Sequence, residues 1–73
     1  MSIDIEFLKQ RMKDENIKPE DLAQRIGIDR ATFYRKMKAG GVKFAVGEAQ
    51  RIIEALKLSD AEAARIFLNQ PHN

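Results

Sequence analysis

The sequence predicts an all-α domain of five short helices. Apolar residues recur three and four apart rather than alternating, which is the helical period and not that of a strand. Helix punctuation then cuts the chain into segments of about ten residues, through Asn16, Pro19, Gly27, Gly40-Gly41 and Ser59.

The first helix is expected over 4–15, with Asp4 as its N-cap and Ile5, Leu8 and Met12 as its inner stripe, Phe7 beside them. Asn16 tolerates a left-handed backbone and ends it. Pro19 suits the first turn of the second helix, PEDLAQRI, because the N–H it lacks would be unpaired there. Leu22, Ala23 and Ile26 share one side of that helix, and Asp21 and Arg25 are placed to pair on the other. Gly27 stops it. Asp29 caps the third helix, 30–38, whose inner stripe is Phe33 and Met37. Ala39-Gly40-Gly41 breaks it, and either glycine can supply a left-handed stop. VKFAV (42–46) leads to a fourth helix near 47–57, with Ala49, Ile52, Ile53 and Leu56 inward and Phe44 and Val46 packed beneath the loop. Ser59-Asp60-Ala61-Glu62 matches a capping box and starts the fifth helix, whose apolar residues are Ala63, Ala64, Ile66, Phe67 and Leu68. The tail QPHN is expected to fray.

Seventy-three residues suit one domain over 1–73 with a modest core. Apolar residues at 44% and charged residues at 33% are the balance of a globular chain, not a disordered one. No apolar run nears the ~18–20 residues of a membrane span. MSIDIEFLKQ lacks the basic-then-apolar pattern of a secretory signal, and cysteine is absent. Together these lead to an expectation of a cytoplasmic protein.

The net charge of +2 matters less than where it sits. Residues 30–43 carry Arg30, Arg35, Lys36, Lys38 and Lys43 with no acid, while the segments on either side are net negative. A one-sign face on a short helix suits a polyanion, because phosphate contacts release counterions. The bland alternative is a solvated basic face.

Gly27-Ile28-Asp29 is too short a link for antiparallel helices, so the second and third must cross steeply. A small residue is then needed at their closest approach, and Ala23 stands four before Gly27. That is a helix-turn-helix over 19–38, whose second helix projects toward a major groove. LAQRIGIDRATFYRKM (22–37) resembles the helix-turn-helix of the phage Cro/repressor-type family. The small residue, turn glycine, Ile28 and T-F-Y-R run stand in register, and GEAQRIIEAL (47–56) is similar to a later part of that family's five-helix, lambda repressor-like domain. The resemblance spans about residues 5–68 and is closest to small stand-alone phage-type versions reading "YRK" in the third helix. The chain departs from that pattern twice. Lys36 stands where many members have an apolar residue, with Met37 taking over the packing. Pro19-Glu20-Asp21 stands where a phosphate-touching Gln or Thr is common, and two acids there oppose a DNA backbone.

On a helical wheel Ala31, Arg35 and Lys38 point away from Phe33 and Met37, with Thr32 and Tyr34 on the flanks. The resemblance implies base contacts from Arg30, Ala31, Tyr34, Arg35 and Lys38. Arg35 and Arg30 suit guanine O6/N7, and Ala31 leaves room for a thymine methyl. Tyr34 either stacks on a sugar or base edge or covers the end of the core. Thr32, Lys43 and the amides opening the fourth helix suit phosphate. Lys36 reads as a snorkelling surface lysine.

Catalytic chemistry has little to work with. There is no cysteine, His72 is the single histidine, and no nucleophile–base or metal-ligand spacing occurs, so no enzyme activity and no cofactor are expected. Glu48–Arg51, Glu54–Lys57 and Glu62–Arg65 read as solvated local pairs. The expected function is a sequence-specific regulator of double-stranded DNA, a repressor or Cro-like protein. The alternative is the same scaffold used as a protein-interaction module for a host or phage regulatory protein. Ile66, Phe67 and Leu68 in succession cannot all face one small core, so the fifth helix, through Phe67 and Leu68, is expected to contribute to a homodimer.

Overall fold

A computed structural model describes residues 3–40 and 44–68. Five helices follow in order: α1 (Ile5–Asp14), α2 (Pro19–Ile26), α3 (Arg30–Lys38), α4 (Val46–Ala55) and α5 (Asp60–Phe67). None is long and apolar enough to cross a membrane.

The helix starts follow the cap chemistry. Asp4 accepts from the Phe7 amide and Asp29 from the Thr32 amide, both at 3.1 Å, satisfying donors that the first helical turn leaves unpaired. Ser59 and Glu62 form a reciprocal capping box on α5. The start of α4 has half of one: Glu48 accepts from the Ala45 amide at 2.9 Å, but alanine has no oxygen to return.

The helix ends share a second device. After α1, α2 and α4 the chain turns left-handed at Asn16 (φ 56°), Gly27 (φ 85°) and Lys57 (φ 53°). At each, the next amide reaches back to the helix: Ile17 to Met12 O, Ile28 to Ala23 O, and Leu58 to Ile53 O, each at 3.0 Å or shorter. This is the Schellman arrangement, and it folds an apolar residue back onto the helix it leaves. The sequence signals Asn16 and Gly27. Lysine has no preference for a left-handed backbone, and α4 ends at Ala55 rather than at the expected 57.

Leu8, Leu22, Ile26, Phe33, Ile52, Leu56 and Ile66 are each fully buried, with Met12, Ala23 and Leu58 close behind. Full burial of side chains this size contributes roughly 1.5–3 kcal/mol apiece. α2 packs against both α3 and α4 and so forms the middle of the domain. The entry to α1 is tied to α5 by the Asp4 amide on Ile66 O at 2.9 Å. Val46 departs from expectation, being 78% exposed rather than packed under the loop, while Phe44 does turn inward, 5.9 Å from the Phe33 ring. The helix opening at Val46 leaves its side chain on the outer face.

The local ion pairs expected from sequence do not form, and Glu48, Glu62 and Arg65 pair across elements instead. Asp21 and Arg25 do not pair; nor do Glu54 and Lys57. Arg11 of α1 gathers Asp14 and Glu15 (3.1 and 3.2 Å) and reaches Glu62 of α5 at 3.2 Å, a further link between the two helices. Hydrogen bonding from Gln10 and Arg11 holds the Asp14 carboxyl below its ordinary 3.8. The Ser59 amide, aided by the Arg11 charge, holds Glu62 below 4.5.

The left-handed turns carry a test with two signs. A β-carbon at Gly27 would meet only Arg51 Nη1 at 3.9 Å, an ordinary contact, so the cost of Gly27→Ala is backbone strain. It should lower unfolding free energy by about 1–2 kcal/mol. Lys57→Gly relieves the same strain and should raise it by about 0.5–1 kcal/mol. Urea unfolding of both variants checks this, and effects of one sign would refute it.

Candidate nucleic-acid interface

α3 lies across α2 with Phe33 1% exposed beneath it and Met37 half-buried beside it, which leaves the opposite face in solvent. The crossing follows from the three-residue turn. Ala23, at 1% exposure, presents no more than a methyl group at the contact.

Two polar ties set the seat of α3. Lys36 Nζ lies 2.8 Å from Glu48 Oε1 on α4, and both side chains are mostly buried. Hydrogen bonding from Lys36, then the Ala45 amide, pulls the Glu48 carboxyl below its ordinary 4.5. Arg51, one turn further along α4, donates to Ile26 O at 3.3 Å and so satisfies a carbonyl at the end of α2. Lys36 is therefore an interhelical tie, not a free surface lysine, because α4 brings Glu48 within its reach. Glu48 and Arg51, expected to pair with each other, instead each hold one helix of the helix-turn-helix.

The outer face of α3 carries the predicted contact residues together. Ala31, Tyr34, Arg35 and Lys38 are exposed and Thr32 is half-buried. Arg35 Nη2 donates to Thr32 Oγ1 at 3.2 Å, which steers the guanidinium along the helix. Thr32 in turn bonds Asp29, and this hydrogen bonding keeps that carboxyl below its ordinary 3.8. Tyr34 covers the end of the core only in part. Its ring packs edge-on against Phe33 at 6.3 Å, yet it stays 43% exposed. Arg30 sits 5.6 Å over that ring and 3.7 Å from Glu20 of α2, a loose and solvent-screened contact. Neither Arg35 nor Lys38 has a carboxylate within 4 Å among the described residues. Lys43 and His72 lie outside the described residues.

The positive rim is wider than α3. Lys9 and Lys13 of α1 and Lys18 before α2 border the same side as Tyr34 and Lys38. Sequence reasoning missed them because residues 1–29 are net negative as a sum. Only the fold reveals that Arg11 engages Asp14 and Glu15, leaving Lys13 with no carboxylate within 4 Å among the described residues. Among the described residues no cluster of three potential metal ligands occurs.

A buried small residue at a helix crossing, a left-handed turn and a cationic outer helix define a helix-turn-helix protein in which α3 is the second helix of the motif. The model of the Cro/C1-type HTH DNA-binding domain matches residues 8–63, and the chain belongs to that family. It is thus a DNA-binding domain of the transcription-regulator kind. Searches of curated proteins and of solved structures gave no match.

The Lys36–Glu48 tie generates a pH-dependent prediction. Because the Glu48 carboxyl is depressed in the folded state, its contribution is present above about pH 4.5 and is lost as pH falls through the lower folded value. Glu48→Gln should cost of order 1 kcal/mol at pH 7, reduced from a fully buried pair by partial exposure. The gap from the parent should close in strong acid. Denaturant unfolding at pH 7 and pH 3 reads both, and a gap independent of pH would refute the assignment.

Proposed function

We propose that the protein is a sequence-specific regulator of the repressor or Cro-like kind, of phage or mobile-element type, reading the major groove with α3. The observation that supports this is the exposed cationic face of α3, where Arg35 and Lys38 have no carboxylate within 4 Å among the described residues. Arg35 and Arg30 address guanine, the commonest bidentate partner of arginine. Ala31 faces a thymine methyl, and Tyr34 and Lys38 take neighbouring edges or sugars. Thr32 and Lys43 hold phosphates. Glu20 keeps Arg30 near the start of α3 until a base displaces it.

Nine residues of helix span roughly 14 Å and read only a few base pairs. Useful specificity then calls for two copies on half-sites about 34 Å apart. The surface that fits a second copy is the groove of about 650 Å³ between α4 and α5, bordered by Phe67 and by Leu68, which is 63% exposed. Val46, also on its rim, adds a further exposed apolar group. Leu68 removed from water on both copies supplies an association energy that a monomer forgoes.

Selection of bound duplexes from a random pool should return a two-fold symmetric motif. Affinity for it should fall by about 0.9 log units per log unit of salt for each phosphate neutralised. Arg35→Ala should cost about 1–3 kcal/mol at one base pair per half-site and leave other positions unchanged. Absence of duplex binding even at low salt would end this reading. Retention of a protein partner after nuclease treatment, with Arg30 and Arg35 dispensable, would replace it with the interaction-module reading.

Self-association is checked separately. Sedimentation of Leu68→Lys should give a monomer at concentrations where the parent is a dimer, with unchanged thermal stability of the fold. Identical sedimentation of the two would remove α5 from the interface.

A further inference from the structure

A cleft of about 500 Å³ opens between α1 and α3, beside the reading face but outside the DNA contacts assigned above except at Tyr34 and Lys38. Its size lies within the roughly 300–1,000 Å³ of small-molecule sites. The floor is apolar: Met12, Ile17, Phe33 and Met37. The two thioethers adapt to a ligand's shape and make favourable contacts with aromatic rings. The rim is cationic, formed by Lys9, Lys13, Lys18 and Lys38, and no carboxylate lines the cleft.

That rim is uncompensated. Lys13, Lys18 and Lys38 have no carboxylate within 4 Å among the described residues, and Lys9 has only the exposed Glu6 at 3.9 Å. The nearby acids of α1 are engaged elsewhere, Asp14 and Glu15 both on Arg11. A DNA backbone alone would use the lysines and leave the accessible parts of Ile17 and Met37 in water. A small amphiphilic anion uses both, its ring on the floor and its carboxylate among the ammonium groups.

We infer that this cleft is a binding site for a small aromatic carboxylate. An occupant there takes Tyr34 and Lys38 away from a duplex, so binding of the two is mutually exclusive. This consequence rests on the proposed function; the site itself does not.

The probe is 2-naphthoate, titrated into the DNA-free protein carrying ¹³C-methyl methionine. The expected result is a saturable shift of the Met12 and Met37 methyl signals. The neutral 2-naphthamide should bind at least about tenfold more weakly. So should 2-naphthoate to the Lys13→Glu/Lys18→Glu double variant, since both lysines are exposed and their replacement leaves the core intact. Unmoved methionine signals, equal affinity for acid and amide, or an unimpaired double variant would each overturn the site. With a selected duplex present, 2-naphthoate should release it, and ternary binding would overturn the exclusion. A protein that binds 2-naphthoate as described but no duplex at all would refute the proposed function and leave the site standing.

Discussion

The exposed cationic face of α3 depends on the left-handed turn that ends α2. With Gly27 at φ 85° the next amide reaches back to Ala23 O, and the chain leaves α2 at a steep angle rather than doubling back. That angle places Phe33 in the core and, on the far side of the same helix, Arg35 and Lys38 in solvent. The two consequences cannot be separated. A helix of nine residues anchored along one stripe has no freedom to bury its other face, so the force that holds α3 to the domain also presents its charge.

Hydrophobic burial is non-directional and does not by itself set the rotation of α3 about its axis. Directional contacts supply that. Lys36 on Glu48 and Arg51 on Ile26 O attach both helices of the pair to α4, from opposite ends of one short stretch of sequence. On the other side of the molecule Arg11 draws three carboxylates to a single guanidinium and links α1 to α5. These ties have an electrostatic by-product. Carboxylates spent inside the fold no longer neutralise the lysines beside them, and a chain with nearly balanced charge acquires a strongly positive side.

Five helices, four of the five starts and the left-handed stops at Asn16 and Gly27 were legible because each rests on residues close in sequence. Capping is an interaction across three residues, and the apolar stripe repeats within one helix. The errors have a common origin. Local spacing suggests Glu48–Arg51, Glu62–Arg65 and Asp21–Arg25, but an i,i+3 or i,i+4 pair in water contributes only a few tenths of a kcal/mol. Glu48 and Glu62 take the partners that folding brings, Lys36 and Arg11. Hydropathy alone puts Val46 inside, whereas its place at the opening of α4 leaves it 78% exposed. Lys57 adopts a left-handed turn with no residue preference to announce it, held by Leu58 returning to the core, where it is 9% exposed. The lysines bordering the α1–α3 cleft lay hidden within a segment whose net charge was negative.

The sequence alone determined the helices, their caps, the crossing of α2 and α3 and the cationic character of one face, since all of these follow from contacts within a few residues. Tertiary structure decided which charges remained available. That selection depends on distances between helices far apart in the chain, and the sequence does not contain those distances until the core has closed.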